Sequence, residues 1–122
     1  MSADHVSDLI PFVHVEDPER SIGFYERLGF RVTDTHHAGD LDWVALESGL
    51  AKLMLARASA PIAREQETVL FYLYSDDLAG LRERLLGAGL QVGEIVDGSP
   101  GPRQEMSLAD PDGYCLMVAQ LD

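Results

Sequence analysis

The chain has 122 residues, 46% hydrophobic and 25% charged, the size and mix of one ordinary globular domain. Its formal net charge is −12, with ten acids against five bases in residues 1–60 and eleven against four in residues 61–122. Neither half is basic and no apolar run approaches the roughly 20 residues of a membrane span, so neither nucleic acid nor a membrane is expected as partner.

Met1 to Leu9 is polar and acidic, unlike a secretion signal, and the lone Cys115 can form no internal disulfide. Both features fit a cytoplasmic protein. Leu9 to Val15 reads as a first strand, with Pro11 suited to an edge and Ile10, Phe12 and His14 alternating onto one face. The stretch from Asp17 to Phe30 carries both ends of a helix: Asp17 to cap the first free amides, Pro18 at the first helical position, Gly29 to stop it. Ile22, Tyr25 and Leu28, with Phe24 beside them, form its apolar side. Three short antiparallel strands are expected next, at Phe30–Thr35, Asp42–Glu47 and Leu50–Ala56, joined by a polar turn at His36–Asp40 and a tight turn at Ser48-Gly49.

Residues 58–67 have neither strand alternation nor a convincing helical stripe and read as a linker. The pattern then restarts with a strand at Thr68–Ser75 and a helix at Asp77–Ala88, striped by Leu78, Leu81, Leu85 and Ala88 and stopped by Gly89. Leu90–Val96, a loop at 97–102, Arg103–Ala109, a turn at Asp110-Pro-Asp-Gly113 and Tyr114–Leu121 complete it. At an offset of 60, Asp17 falls on Asp77, Gly29 on Gly89, Val32 on Val92, Ile10 on Leu70 and His14 on Tyr74. The expected architecture is therefore α+β. Two tandem βαβββ modules, residues 8–57 and 68–121 of a single domain, form a curved mixed sheet with helices on its outer face and leave a ligand cleft on the other.

Three stretches resemble one known family: Ile10-Pro-Phe-Val-His-Val15 with the helix after it, Ser75-Asp-Asp-Leu-Ala-Gly-Leu81, and Asp110-Pro-Asp-Gly-Tyr-Cys-Leu-Met-Val118. Together they are similar to the glyoxalase/bleomycin-resistance/dioxygenase superfamily, the vicinal oxygen chelate fold, from about residue 9 to the end. Enzymes of that superfamily hold a divalent metal with ligands from the first, fourth, fifth and eighth strands. Carried over by spacing, those positions fall on Ile10, Met54, Leu70 and Met117, none of which suits the hard or borderline metals used there. The resemblance thus implies a metal-free binder with no cofactor and no catalytic residue. The nearest subgroup in type is the bleomycin-resistance proteins, homodimers that bind cationic glycopeptide antibiotics in clefts between subunits. The segment Asp42-Trp-Val-Ala-Leu-Glu-Ser-Gly49 resembles that group's Trp-containing third strand.

On this reading Phe12, His14, Trp43, Tyr72 and Tyr74 line a largely apolar cleft together with the four metal-site counterparts. Trp43 is able to stack on a planar ligand and attract a cation, a role that competes with simple packing at the sheet end. For His14 a structural role competes with a chemical one. Glu47 and Glu105 are the carboxylates placed to answer a ligand's positive charge, against plain solvent exposure. Cys115 shares the parity of Met117 and so the cleft face, though a small core residue is the usual fate of a lone Cys. His36 and His37 are adjacent, so their side chains diverge and make a poor ligand pair. Two other functions stay open: a metal-dependent lyase, isomerase or dioxygenase using displaced ligands such as His14 with Glu47 or Glu105, and an interaction module whose cleft is filled by its own side chains.

Overall fold

Strands with alternating apolar and polar side chains have two unlike faces, and an amphipathic helix has one side to bury; these two requirements generate the architecture. The computed structural model describes residues 8–61, 70–98 and 103–121. Within them run β1 (Phe12–Val15), α1 (Pro18–Arg27), β2 (Arg31–Ala38), β3 (Asp40–Ser48) and β4 (Ala51–Arg57). The second half supplies β5 (Leu70–Ser75), α2 (Leu78–Gly87), β6 (Val96–Asp97), β7 (Gln104–Ala109) and β8 (Cys115–Gln120). The expected curved mixed sheet is built as two four-stranded sheets, ordered β1-β4-β3-β2 and β5-β8-β7-β6. Each is mixed because its edge strand, β1 or β5, runs parallel to the neighbouring strand while the rest are antiparallel.

The helix signals act as written. Asp17 accepts from the amides of Glu19 and Arg20 at 3.2 and 3.4 Å, and Asp77 accepts from Gly80 at 3.0 Å. Gly29 and Gly89 stop the helices at φ of 102° and 87°, a left-handed conformation that a Cβ would strain. On α1 the buried residues are Pro18, Ser21, Phe24 and Tyr25, with Ile22 and Leu28 partly buried; on α2, Leu78 and Leu85 are buried, and Ala88 at its C-terminal cap is exposed. Both helices share one core with Val13 and Val15 of β1, Val44 and Leu46 of β3, Leu53 and Leu55 of β4, Met106 and Leu108 of β7, and Leu116 and Val118 of β8.

Two boundaries differ from expectation. His36 and His37 belong to β2 rather than to a polar turn, because the β2–β3 ladder continues through Ala38 opposite Asp40 and turns only at Gly39. The expected strand at Leu90–Val96 shrinks to β6. Gly93 donates to the Ser107 carbonyl at 2.8 Å and its own carbonyl accepts from Arg82 Nε at 2.9 Å, while Leu90, Val92 and Ile95 turn toward the core. The segment is thus tied to β7 through an irregular path instead of a ladder. Thr68 and Val69, and most of the expected linker, lie outside the described residues.

The turn Asp110-Pro-Asp-Gly113 fastens the second half to the first. Asp112, fully buried, accepts from the Glu16 amide at 3.0 Å and from Ser21 Oγ and Arg20 Nη2, both at 3.4 Å. Asp110 accepts from the Tyr25 hydroxyl at 2.8 Å and from the amides of Asp112 and Tyr114, both at 2.9 Å. The Tyr114 hydroxyl donates to the His14 carbonyl at 2.7 Å. A buried carboxylate is tolerated only when its lone pairs are used, and here Asp112 draws its donors from the opposite end of the chain while Asp110 takes one from there and two from its own turn.

Candidate functional site

Since the core takes one parity of each strand, the other parity forms a second sheet face without a helix over it. On the first sheet this face carries the row Phe12, Met54, Ala45, Asp34 and, beside it, the row His14, Ala56, Trp43, His36. Phe12 and His14 are exposed and meet edge to face, ring centroids 5.8 Å apart; Trp43 and Met54 are half-buried. On the second sheet it carries the row Tyr72, Met117, Ser107 and the row Tyr74, Ala119, Glu105, Val96. Tyr72 and Tyr74 are 47% and 55% exposed and also meet edge to face, at 5.4 Å, so neither is spent on the core.

The anticipated lining residues therefore assemble as two groups, one per sheet. Phe12, His14, Trp43 and Met54 form the first. Tyr72, Tyr74, Glu105, Cys115 and Met117 form the second, with Leu70, placed by its backbone, opposite Cys115. A groove of about 970 Å³ runs past Tyr72 and Tyr74 and between Phe30, Leu50 and Leu81, but not past Phe12, His14 or Trp43. Strands β1 and β5 are both sheet edges, so each group borders a row of backbone groups available to another chain.

The two carboxylates differ in setting. Glu47 lies opposite Lys52 and Arg31 in the register, and the Lys52 ammonium pairs with Asp8 at 3.0 Å. Glu105 accepts from the Tyr72 hydroxyl at 2.7 Å, and that hydrogen bond is the main reason the phenol's pKa lies above its ordinary value of 10.0. Cys115 is exposed, in register with Leu70 and Ala109. His36 Nδ1 pairs with Asp42 Oδ1 at 2.9 Å at the exposed end of the β2–β3 hairpin.

The residues at the superfamily's metal positions do not fit a metal. Ile10 precedes β1, half-buried, while Met54 lies opposite Phe12 and Met117 opposite Tyr72. Hydrocarbon and thioether supply no donor suited to the hard or borderline ions concerned. Among the described residues no group of three or more His, Cys, Asp or Glu is gathered around a common point. The displaced pair His14 and Glu47 is separated by the register: His14 lies opposite Ala56 and Glu47 opposite Lys52. Four residues along a strand span about 13 Å, too far for two side chains to share an ion that each must approach to about 2 Å. Glu105 is on the other sheet.

The description of one protein-family model, the Glyoxalase/Bleomycin resistance protein/Dioxygenase superfamily, matches residues 2–118. The chain belongs to this superfamily. No curated protein matches it in sequence. Solved structures similar to this superfamily member include a bleomycin resistance determinant encoded on the transposon Tn5, 22% identical with a TM-score of 0.80, covering 96% of this chain and 99% of that one. A bleomycin-binding protein complexed with bleomycin is 22% identical, with a TM-score of 0.79 and coverage of 96% and 100%. TnmS3, an antibiotic-binding protein from Streptomyces sp. CB03234, is 23% identical, with a TM-score of 0.73 and coverage of 100% and 99%. At these identities the likeness establishes the superfamily fold. Among the described residues no helix is long and apolar enough to cross a membrane.

Several residues that organise the site were not singled out by sequence reasoning. Asp110 and Asp112 are expected only as members of a turn, and in the structure they join that turn to the first half. Arg57, one residue past the expected strand Leu50–Ala56, ends β4 and donates to the Leu41 carbonyl at 2.9 and 3.2 Å and to the Glu16 carbonyl at 3.4 Å, tying β3 and the segment before α1 to β4. Arg103 places its guanidinium 5.5 Å from the centre of the Tyr74 ring. For Arg103 a signal existed: a base two residues before Glu105, on the side of the chain where acids outnumber bases most.

Proposed function

We propose that this protein binds and sequesters a small molecule of drug or antibiotic type, carrying positive charge, without making or breaking bonds. The single observation that carries the reading is the pair of helix-free sheet faces. Each presents exposed aromatic rings, Phe12 and His14 beside Trp43 on one sheet and Tyr72 and Tyr74 on the other. Rings left half in water on a sheet face are a cost to the free protein that a planar ligand removes by stacking on them. A net charge of −12 draws a cation toward any such face and repels an anion. Met54 and Met117 beside the rings give an adaptable floor.

The protein acts as a homodimer in this reading. The rings form two groups on separate sheets with open edges at β1 and β5, and a two-fold partner brings the first group of one subunit against the second group of the other. Structural neighbours that bind bleomycin or another antibiotic lend the reading support. Calorimetric titration with bleomycin and with other planar cations tests it. Saturable heat at one ligand per chain is expected; absence of heat from every member of the panel removes the drug-binding function.

A further inference from the structure

Because the chain repeats itself, each half is a template for the other. At the offset of 60 that aligns Asp17 with Asp77, Arg20 corresponds to Gly80, Ser21 to Leu81 and His14 to Tyr74. Met54 and Met117 hold equivalent places in the ladders, opposite Phe12 and Tyr72, which makes Ala51 the counterpart of Tyr114. The β3–β4 turn is therefore the counterpart of the turn Asp110-Pro-Asp-Gly113. It is one residue shorter: residues 48–51 separate the paired Glu47 and Lys52, whereas residues 110–114 separate Ala109 and Cys115.

The two turns meet their helices differently. The longer one is filled and bonded: Asp110 and Asp112 take donors from α1, the Tyr114 ring stacks on Phe71 with centroids 6.3 Å apart, and its hydroxyl donates to the His14 carbonyl at 2.7 Å. That carbonyl is on the open edge of β1, because the next one, of Val15, turns inward to the Ala58 amide. In the second sheet the Ser75 carbonyl likewise accepts from Leu121 at 2.7 Å, so the Tyr74 carbonyl points to the open edge of β5. No ring reaches it from the shorter turn, which has Ala51 where the other has Tyr114, and Ser48 and Gly49 in place of the two carboxylates. Opposite, α2 has Gly80 and Leu81 where α1 has Arg20 and Ser21. Small residues on both walls leave the groove of about 970 Å³; the corresponding place in the filled half, beside Phe24, Leu90 and Asp110, keeps only about 290 Å³. Phe30, Leu73, Leu81 and Val118 make the walls apolar, and Arg84 bridges from α2 to the Arg27 carbonyl at the end of α1.

We propose that the groove between the β3–β4 turn and α2 is a second binding site, and that it takes a neutral phenol. The filled half shows the fit: the ligand ring takes the place that the Tyr114 ring takes there, and its hydroxyl donates to the Tyr74 carbonyl as the Tyr114 hydroxyl does to that of His14. Asp76 and Asp77 at the groove, within a chain of net charge −12, repel a phenolate and favour the protonated form. The site touches the ring-bearing faces only at Tyr72 and Tyr74 and needs no drug bound to them.

The test is an NMR titration of the full chain, methyl-labelled at Ala and Leu, with 4-methylphenol, the tyrosine side chain as a free molecule. Saturable shifts are expected at Ala51, Leu73 and Leu81. The methyl ether 4-methylanisole, which keeps the ring and lacks the donor, is expected to bind about three- to tenfold more weakly, the worth of one hydrogen bond. Ala51→Tyr restores the missing ring from the chain itself at an exposed position and is expected to weaken 4-methylphenol binding about tenfold or more. Its thermal midpoint is expected to lie above those of the wild type and of Ala51→Phe, which fills the same space without the hydroxyl and is expected to block the phenol as well. The proposal is overturned by any of three results: no shift at the groove methyls with saturating 4-methylphenol, equal affinity for the phenol and its ether, or unchanged phenol binding in both Ala51 variants. If 4-methylphenol shifts nothing and Ala51→Tyr changes the oligomeric state in sedimentation, a second copy of the chain covers the groove and the proposal falls.

Discussion

The hydroxyl of Tyr25, in the last turn of α1, donates a 2.8 Å hydrogen bond to Oδ2 of Asp110, which opens the turn before β8. Burial and then the neighbouring Asp110 charge push the Tyr25 phenol far above its ordinary pKa, so it remains a donor at every accessible pH. This bond joins the first helix to the last hairpin. Replacing Tyr25 by Phe keeps the ring and removes only the donor. It is expected to cost about 1–3 kcal/mol in urea denaturation, the penalty for a buried acceptor deprived of its partner. A change within a few tenths of a kcal/mol would show that the bond is dispensable.

The same carboxylate gives a pH signature. Burial raises the Asp110 pKa above 3.8, against opposing hydrogen bonds from Tyr25 and the amides of Tyr114 and Asp112, with the Asp112 charge adding to the rise. A carboxyl whose folded pKa exceeds its unfolded value holds its proton more tightly in the fold. Its contribution is complete below the unfolded pKa and is lost as pH climbs through the folded one. The stability of the wild type relative to Asp110→Asn is therefore expected to fall as pH rises from 3 through the acid range, then level off. Denaturant midpoints of both proteins across pH 3–7 read this out, and a difference that moves in the wild type's favour with rising pH contradicts it.

Asp112 gathers donors from three residues of the first half and has no exposure to water. Asp112→Ala removes the acceptor shared by the Glu16 amide and Ser21 Oγ and is expected to destabilise the protein by about 2–3 kcal/mol. Asp112→Asn, which keeps an acceptor, is expected to cost less. Thermal unfolding of the pair decides the matter; equal midpoints for Ala and Asn would mean that volume, not hydrogen bonding, is what the site supplies.

Open-face substitutions are expected to separate binding from folding. Trp43→Ala and Tyr72→Ala each remove a ring from the helix-free side, where Trp43 is half-buried and Tyr72 is 47% exposed. Each is expected to weaken bleomycin binding about tenfold, in line with the loss of a stacked ring, while shifting the unfolding midpoint far less than Phe24→Ala, which empties a core position worth about 3–5 kcal/mol. Calorimetry and thermal unfolding on the same three variants check both halves. Unchanged affinity in both ring variants places the ligand elsewhere.

What could be read from the sequence was local. Asp17, Pro18 and Gly29, repeated in part as Asp77 and Gly89, delimit two helices because caps and stops act within a few residues of where they are written. Alternation correctly set Phe12 and His14 apart from Val13 and Val15. Tertiary partners were not legible. Asp112 looks like any turn acid until α1 delivers Ser21 to it, and Ser21 looks like a solvent-facing helix residue for the same reason. The strand expected at Leu90–Val96 has the β-branched residues Val92, Ile95 and Val96, but the segment is held to Ser107 by the Gly93 amide and forms a ladder only at β6. For the site, alternation orders the candidate residues along each strand, whereas their division between two sheets depended on how the halves pack.

The central claim is that a cationic small molecule lands on the helix-free aromatic faces, and an NMR titration of aromatic-labelled protein with bleomycin addresses it directly. Saturable shifts are expected for Trp43, Phe12, Tyr72 and Tyr74, with the buried rings of Tyr25 and Tyr114 little affected. A titration to saturating drug in which none of the four open-face rings moves would contradict the account.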